Sequence, residues 1–283
     1  MTQLRAFKQV DVFTSSPLNG NPLAVIMAAE DLSTEQMQAV ARWTHLSETT
    51  FVLPATNEAA DYRVRIFTPD GELPFAGHPT LGTAHALLES GISLKKPGQI
   101  VQQCELGLVK VKIADDGALA FAAPEATLTE FNEAPLGSAL NTDAIETRLP
   151  VMIADMGIRF LLVPMVSAEA VLAIKPNVTE FERLLKKARV TGVMPFGPLQ
   201  GAAEQYEVRG LLMEHGSLCE DPVTGSANAC LARYLQAQGV ELDYHVRQGT
   251  ALQRAGRLSV SWASGTAWIG GQTVTVIDGT IRL

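Results

Sequence analysis

The sequence predicts an α+β chain of two similar lobes, each a curved, mainly antiparallel sheet around a central helix. Three observations carry this. Strand-like and helix-like stretches alternate along all 283 residues with no low-complexity linker. Their order repeats at about half the chain length, which implies two like lobes rather than a solenoid of short repeats. The closing stretch is a meander of short strands joined by glycine-bearing turns, a pattern that favours antiparallel pairing. The lobe boundary is expected between Asn132 and Pro150, where polarity is mixed and periodicity absent, giving lobes over 1–140 and 141–283 with an active site in the cleft between them.

In order along the chain, Phe7 to Phe13 and Leu23 to Met27 read as strands around an Asn19-Gly20-Asn21-Pro22 turn. Ser33 and Gln36 form a capping-box pattern that opens a helix running to about Trp43. Tyr62 to Phe67 alternates as a half-buried strand should, and leads into a Gly-rich turn and a helix near Leu81 to Leu88. Leu108 to Ile113 alternates again. The second half repeats the order, with a strand near Ile158 to Val163, a helix near Val178 to Ala188, a strand near Tyr206 to Leu212, a second glycine turn, and a helix near Ser226 to Gln238. The meander follows as Leu258 to Trp262, Ala267 to Ile269, Val274 to Ile277 and Thr280 to Leu283, with turns at Ser264-Gly265, Gly270-Gly271 and Asp278-Gly279.

The repeat is visible at single residues. Gly82-Thr83-Ala84 aligns with Gly225-Ser226-Ala227 at an offset of 143, Arg65 with Arg209 at 144, and the helix start at Thr34-Glu35 with Thr179-Glu180 at 145. Each glycine turn runs straight into an apolar helical pattern, so each presents backbone N–H groups at a helix start, where anions bind. Two such turns could hold a carboxylate without a metal or an arginine clamp.

Composition narrows the function. The chain is 47% hydrophobic with a formal charge of −8 and no basic run, which argues against a nucleic-acid partner. No apolar stretch approaches a membrane span, and the residues after Met1 lead directly into a strand pattern rather than a signal peptide, so the expected location is the cytoplasm. Cys104, Cys219 and Cys230 are an odd set without close metal spacing, which argues for reduced thiols. His45 with Glu48 and His215 with Cys219 have metal-ligand spacing, but neither pair has an obvious third ligand. Gly77 to Gly82 has the spacing of a phosphate loop without its Lys-Ser/Thr, and there is neither a dinucleotide fingerprint nor a Gly-x-Ser-x-Gly elbow. No metal and no cofactor are expected.

Three runs carry a resemblance: His45-Leu-Ser-Glu-Thr-Thr-Phe-Val52, Gly77-His78-Pro79-Thr80, and Glu220-Asp-Pro-Val-Thr-Gly-Ser226. They resemble the signature regions of the PhzF-like phenazine biosynthesis family, which shares the diaminopimelate epimerase fold with its active site between two lobes. Val12-Phe13-Thr14 with Gly20-Asn21-Pro22, and Gln248-Gly249 with Gly256-Arg257, are similar to it as well, so the resemblance spans nearly the whole chain. It implies Glu48 as the acid/base that moves a proton between substrate carbons, and His78 and Asp221 as residues orienting the substrate's amino and hydroxyl functions. Gly77, Gly225 and Ser226 would supply turn contacts to a carboxylate. It also implies a homodimer, for which the closing meander around Trp262 and Trp268 offers apolar surface unless both are core.

The residues themselves suit that chemistry. A carboxylate can remove a weakly acidic C–H proton when burial and a neighbour tune it, and Glu48 directly precedes an apolar strand. Taken alone, Glu48 reads as a surface residue of a loop, His78 as a cap, and Asp221 before Pro222 as a turn starter. Epimerases of this fold use one thiol in each glycine turn, whereas here Ala76 stands in the first turn, Asp221 lies in the second, and Cys219 sits two residues early. The expected activity is a cofactor-independent proton shift within a small, cyclic, unsaturated carboxylate. An epimerase of the same fold, with Asp221 as second acid/base, and a non-catalytic binding relative remain the alternatives. Val10, Trp43 and Phe51 are candidate pocket walls or packing residues.

Overall fold

A computed structural model describes residues 3–132, 136–214 and 216–283. The chain divides into two compact units, Met1–Ala122 with Gly270–Leu283, and Ala123–Ile269. The expected boundary near residue 140 is replaced by a crossing at Ala122/Ala123 and a return within the closing meander, because strand pairing rather than sequence order decides membership.

The first unit runs β1 (Leu4–Val12), β2 (Asn21–Ile26), α1 (Thr34–Thr44), β3 (Glu48–Leu53), β4 (Tyr62–Phe67), β5 (Glu72–Leu73), α2 (Gly77–Glu89), β6 (Gln99–Cys104), β7 (Gly107–Ile113) and β8 (Leu119–Ala122). The second runs β9 (Thr127–Glu130), α3 (Leu136–Leu140), β10 (Met152–Asp155), β11 (Arg159–Pro164), α4 (Ala168–Ala173), α5 (Val178–Ala188), β12 (Gly192–Pro198), β13 (Tyr206–Val208), β14 (Gly210–Glu214), β15 (Ser217–Asp221), α6 (Gly225–Ala237), β16 (Tyr244–Gln248) and β17 (Gly256–Ala263). β18 (Thr266–Gly271) leads back to the first unit, which β19 (Thr273–Arg282) completes.

The two units share a pairing scheme. In the first, β2 runs parallel to β3 and β4 parallel to β6, with antiparallel joins elsewhere. In the second, β11 runs parallel to β12 and β13 parallel to β16, again among antiparallel joins. Each unit has one amphipathic outer helix of 11 residues, α1 or α5, opened by a side-chain cap and closed by a left-handed residue, His45 or Arg189. The capping box at Ser33 and Gln36 is present in full. α1 buries Met37, Val40 and Ala41, and α5 buries Phe181, Leu184, Leu185 and Ala188. Each unit also has a central helix of 13 residues, α2 or α6, with ten residues buried. A helix buried nearly all round belongs inside a sheet, whereas a one-sided stripe covers the outside of one.

Three expectations are revised. The first glycine turn is itself helix: α2 begins at Gly77, so the partner of Gly225 is Gly77 and not Gly82. Gly82 lies within the helix, where a Cβ would stand 2.5 Å from Leu23 and 2.9 Å from Val12, so glycine is there for close packing on β1 and β2. The expected strand over Tyr206 to Leu212 is two strands broken at Arg209, whose side chain turns inward to Glu220 and to the carbonyls of Val171 and Ile174. The expected turn at Asp278-Gly279 is absent: β19 runs through it, because β1 is an unbroken template that pairs Lys8 with Asp278 and Phe7 with Gly279. Lys8 Nζ lies 2.7 Å from both Asp278 and Glu89, so the turn-forming aspartate is instead an ion-pair partner.

Val10 and Phe51 are fully buried core, while Trp43 is 79% exposed and lines no core. Trp262 and Trp268 are half-buried. Among the described residues no helix is long and apolar enough to cross a membrane.

Candidate active site

Glu48 and His78, 30 residues apart in sequence, meet in the first unit. α1 ends at His45 in the left-handed conformation (φ 56°), which reverses the chain so that Glu48 opens β3, in parallel register with Leu23 of β2. The strand is then pinned to the central helix: Thr83 Oγ1 donates to Thr50 Oγ1 at 2.9 Å, and Thr50 Oγ1 donates to the Ala24 carbonyl at 3.3 Å. The two threonines after Glu48 are fully buried: Thr50 makes this anchorage, and the Thr49 hydroxyl pairs with that of Thr44 at the end of α1 at 2.8 Å. His78 is the second residue of α2, with its side chain 5% exposed against 17% for Glu48.

The imidazole lies between two oxygens. His78 Nδ1 is 3.0 Å from Glu48 Oε2, and Nε2 is 3.0 Å from the Asn21 carbonyl oxygen. A carbonyl oxygen only accepts, so a hydrogen bond to Asn21 assigns a ring proton to Nε2 and leaves Nδ1 facing the Glu48 carboxyl. A carboxyl and an imidazole within hydrogen-bond reach are groups of the kind used in general acid–base chemistry.

The two central helices start without side-chain caps. The N-cap residues are Ala76 for α2 and Thr224 for α6, neither makes a side-chain cap hydrogen bond, and neither first turn carries an acidic residue. The helices α1, α4 and α5 are all capped by side chains, from Ser33, Ser167 and Asn177. Capping satisfies first-turn N–H groups, and its absence at two buried starts suits an anionic ligand. Gly77 has a steric reason as well, since a Cβ there would run into the Phe121 ring of β8.

In the second unit Asp221 ends β15, and Thr224 Oγ1 donates to its Oδ2 at 2.6 Å. The hydroxyl that could cap α6 is thus turned to the carboxylate. Gly225 is buried and Ser226 half-buried at the helix start. Arg209 braces the strand before the turn through hydrogen bonds of 2.7 and 3.1 Å to Glu220. Its counterpart Arg65 holds Glu72 at 2.6 and 2.7 Å, so the Arg repeat seen in the sequence is a repeated ion pair.

The thiols are not placed for acid/base work. Burial raises the pKa of Cys104 and Cys219, and pushes that of Cys230 up to about 12. The first turn carries Ala76 at the N-cap of α2 and the second carries Asp221 at the end of β15, so neither supplies a thiol there. Among the described residues no cluster of His, Cys, Asp and Glu could hold a metal ion; His215 lies outside them. The sequence reading missed the direct Glu48–His78 contact, which no local signal reports. It also missed Thr224, although its spacing after Asp221 was in view.

Comparison with known proteins agrees with these features. The family described as phenazine biosynthesis-like protein, PhzC-PhzF, matches residues 10–279. Antisense-enhancing sequence 1 of Schizosaccharomyces pombe is 35% identical over 97% of this chain and 97% of its own. The trans-2,3-dihydro-3-hydroxyanthranilate isomerase of Pseudomonas chlororaphis is 34% identical over 97% of this chain and 98% of its own. Among solved structures, a PhzF-family protein of Bacillus anthracis superposes with a TM-score of 0.87 at 24% identity, covering 99% of each chain. The chain belongs to the PhzC-PhzF, phenazine biosynthesis-like family of isomerases, and has its diaminopimelate epimerase-type fold.

Proposed function

We propose that this isomerase moves a proton between two carbons of a small, cyclic, unsaturated carboxylate, with Glu48 as the acid/base and no cofactor. The observation that carries the reading is the 3.0 Å contact between His78 Nδ1 and Glu48 Oε2. A proton on His78 Nδ1 would leave Glu48 a carboxylate whose Oε2 is held by the ring. Its other oxygen, Oε1, takes the proton from one substrate carbon and returns it to another on the same face. Atoms and charge balance over the cycle, because one proton is removed and one is delivered, the carboxylic acid formed on Glu48 exchanging with solvent in between. His78 and Asp221 would orient the substrate's polar functions, and the starts of α2 and α6, at Gly77 and at Gly225 and Ser226, would offer N–H groups to its carboxylate.

The compound named for the Pseudomonas chlororaphis relative, trans-2,3-dihydro-3-hydroxyanthranilate, is the first candidate substrate. The test is incubation of the wild type and of Glu48→Gln in D₂O with this compound and a panel of cyclic amino and hydroxy acids, read by NMR. Deuterium at a new carbon position, from the wild type alone, supports the reading. Exchange at one stereocentre without migration would make the enzyme an epimerase, and equal uptake by both proteins would remove Glu48 from its role.

A further inference from the structure

A side-chain cap would occupy the N–H groups that the proposed reaction needs, so an uncapped, buried helix start must be held in another way. In the second unit that support comes from Gln248, fully buried at the end of β16. Its Oε1 accepts from the Thr224 backbone N–H at 3.1 Å and from Asn228 Nδ2 at 3.0 Å. Its Nε2 donates to the Asp221 carbonyl at 3.1 Å and to Thr224 Oγ1 at 2.9 Å. The backbone partners fix the amide's orientation, since an N–H only donates and a carbonyl only accepts. Because Thr224 Oγ1 receives a hydrogen from Gln248, its own hydrogen is directed to Asp221 Oδ2. One buried amide thereby sets the turn, the hydroxyl and the carboxylate contact together.

The first unit repeats the device. Gln102, fully buried in β6, accepts from the Tyr62 hydroxyl and donates to Thr80 Oγ1, both at 2.9 Å. Thr80 in turn donates to the Ala76 carbonyl at 2.8 Å, as Asn228 Nδ2 does to the Thr224 carbonyl at 2.9 Å. Thr80 and Asn228 each stand four residues after their N-cap, and each glutamine sits on the strand that follows the central helix and pairs in parallel with a strand before it. Gln102 reaches the Ala76 carbonyl through Thr80, and it donates to Thr80 where Gln248 accepts from Asn228.

We infer that Gln248 and Gln102 are positioning residues that brace the uncapped starts of α6 and α2 from within, in place of caps, with Gln248 also aiming Thr224 at Asp221. The role assigned to the braced turns rests on the proposed function; the bracing itself does not.

The experiment has two arms. In the wild type, NMR should detect a scalar coupling across the hydrogen bond from the Thr224 amide nitrogen to the Gln248 side-chain carbonyl carbon. Slow amide exchange should accompany it at Thr224 and Asn228. In Gln248→Met, which keeps the length but removes the acceptor oxygen, exchange at Thr224 should rise at least about tenfold while Val246 and Leu258 stay unchanged. Absence of the coupling, or unchanged exchange, overturns the inference, and the wild-type coupling decides it even if the variant fails to fold. The second arm measures turnover of trans-2,3-dihydro-3-hydroxyanthranilate. Thr224→Val should lower kcat about 10- to 100-fold with KM changed less than about threefold, and Thr224→Ser should restore it. Adding Thr224→Val to Gln248→Met should cost little more than Gln248→Met alone. Full additivity overturns the coupled role, whereas a wild type that does not turn the compound over counts against the proposed substrate and leaves the exchange arm to judge the brace.

Discussion

Glu48 Oε2 and the Asn21 carbonyl oxygen stand 3.0 Å from the two nitrogens of one His78 ring, so Nε2 donates to the carbonyl and Nδ1 faces the glutamate. That arrangement predicts a ¹⁵N spectrum in which Nε2 is a protonated ring nitrogen. His78→Gln should lower kcat about 10²-fold or more, and Glu48→Gln about 10²- to 10⁴-fold, with little change in melting temperature. Solvent-deuterium incorporation measured beside a thermal melt checks both.

The repeated Arg–Glu pairs are not equal in weight. The Arg209 and Glu220 side chains are 9% and 8% exposed, whereas Arg65 and Glu72 are 21% and 30% exposed. Arg209→Ala strands a buried carboxylate and should cost about 3–5 kcal/mol. Arg65→Ala should cost about 1 kcal/mol or less, since water replaces the lost partner. Urea denaturation of the two variants compares them directly.

Gly77→Ala should destabilise by about 1–3 kcal/mol, because the new methyl meets the Phe121 ring. Phe121→Leu should relieve part of that cost in the double variant, although the leucine alone is unfavourable. A double-mutant cycle of chemical melts would show the coupling, and simple additivity would remove the ring as the cause.

Acid should loosen β19. Thr275 Oγ1 donates to Glu89 at 2.7 Å, so it accepts from His85 Nε2 at 3.1 Å, and Lys8 reaches Glu89 and Asp278. Burial lowers the His85 pKa below 6.5, and the hydrogen bond from Lys8 lowers that of Glu89 below 4.5. Both groups have depressed values in the fold, so their stabilisation is complete above the unfolded values and fades as pH falls through the folded ones. The Lys8 pKa, which burial alone would lower, is raised above 10.5 overall by its hydrogen bonds to Asp278 and Glu89, so its contribution fades only at high pH. Amide exchange of β19 relative to β6 should therefore accelerate first below about pH 6.5 and again below the carboxylate range. Lys8→Met should flatten the second step.

Local signals were legible in the sequence and long-range ones were not. The Ser33–Gln36 box, the alternation of Tyr62 to Phe67 and the stripe of Val178 to Ala188 depend on neighbours in the chain, and the structure returns each as an element with these bounds or nearly so. Gly77-His-Pro-Thr hid the first turn of α2, because glycine and proline read as loop, though Pro79 lies early enough in the helix to be tolerated. Asp278-Gly279 reads as a hairpin turn until β1 is placed beside it. Glu48, His78 and Asp221 were singled out from a family resemblance. The contact between the first two, and the buried glutamines behind the helix starts, required side chains far apart in sequence to be seen together.

The pairing of β1 with β19 also sets an order of events during synthesis. β1 carries β2 on one edge and β19 on the other. The residues that fill that second edge belong to 270–283, and they leave the ribosome only after the whole of Ala123–Ile269. The later-made, contiguous unit can therefore close first, while the unit that begins the chain keeps an open strand edge until β19 arrives. The usual precedence of the amino-terminal portion during translation is thus limited here, since that portion is complete only when the last strand has been made.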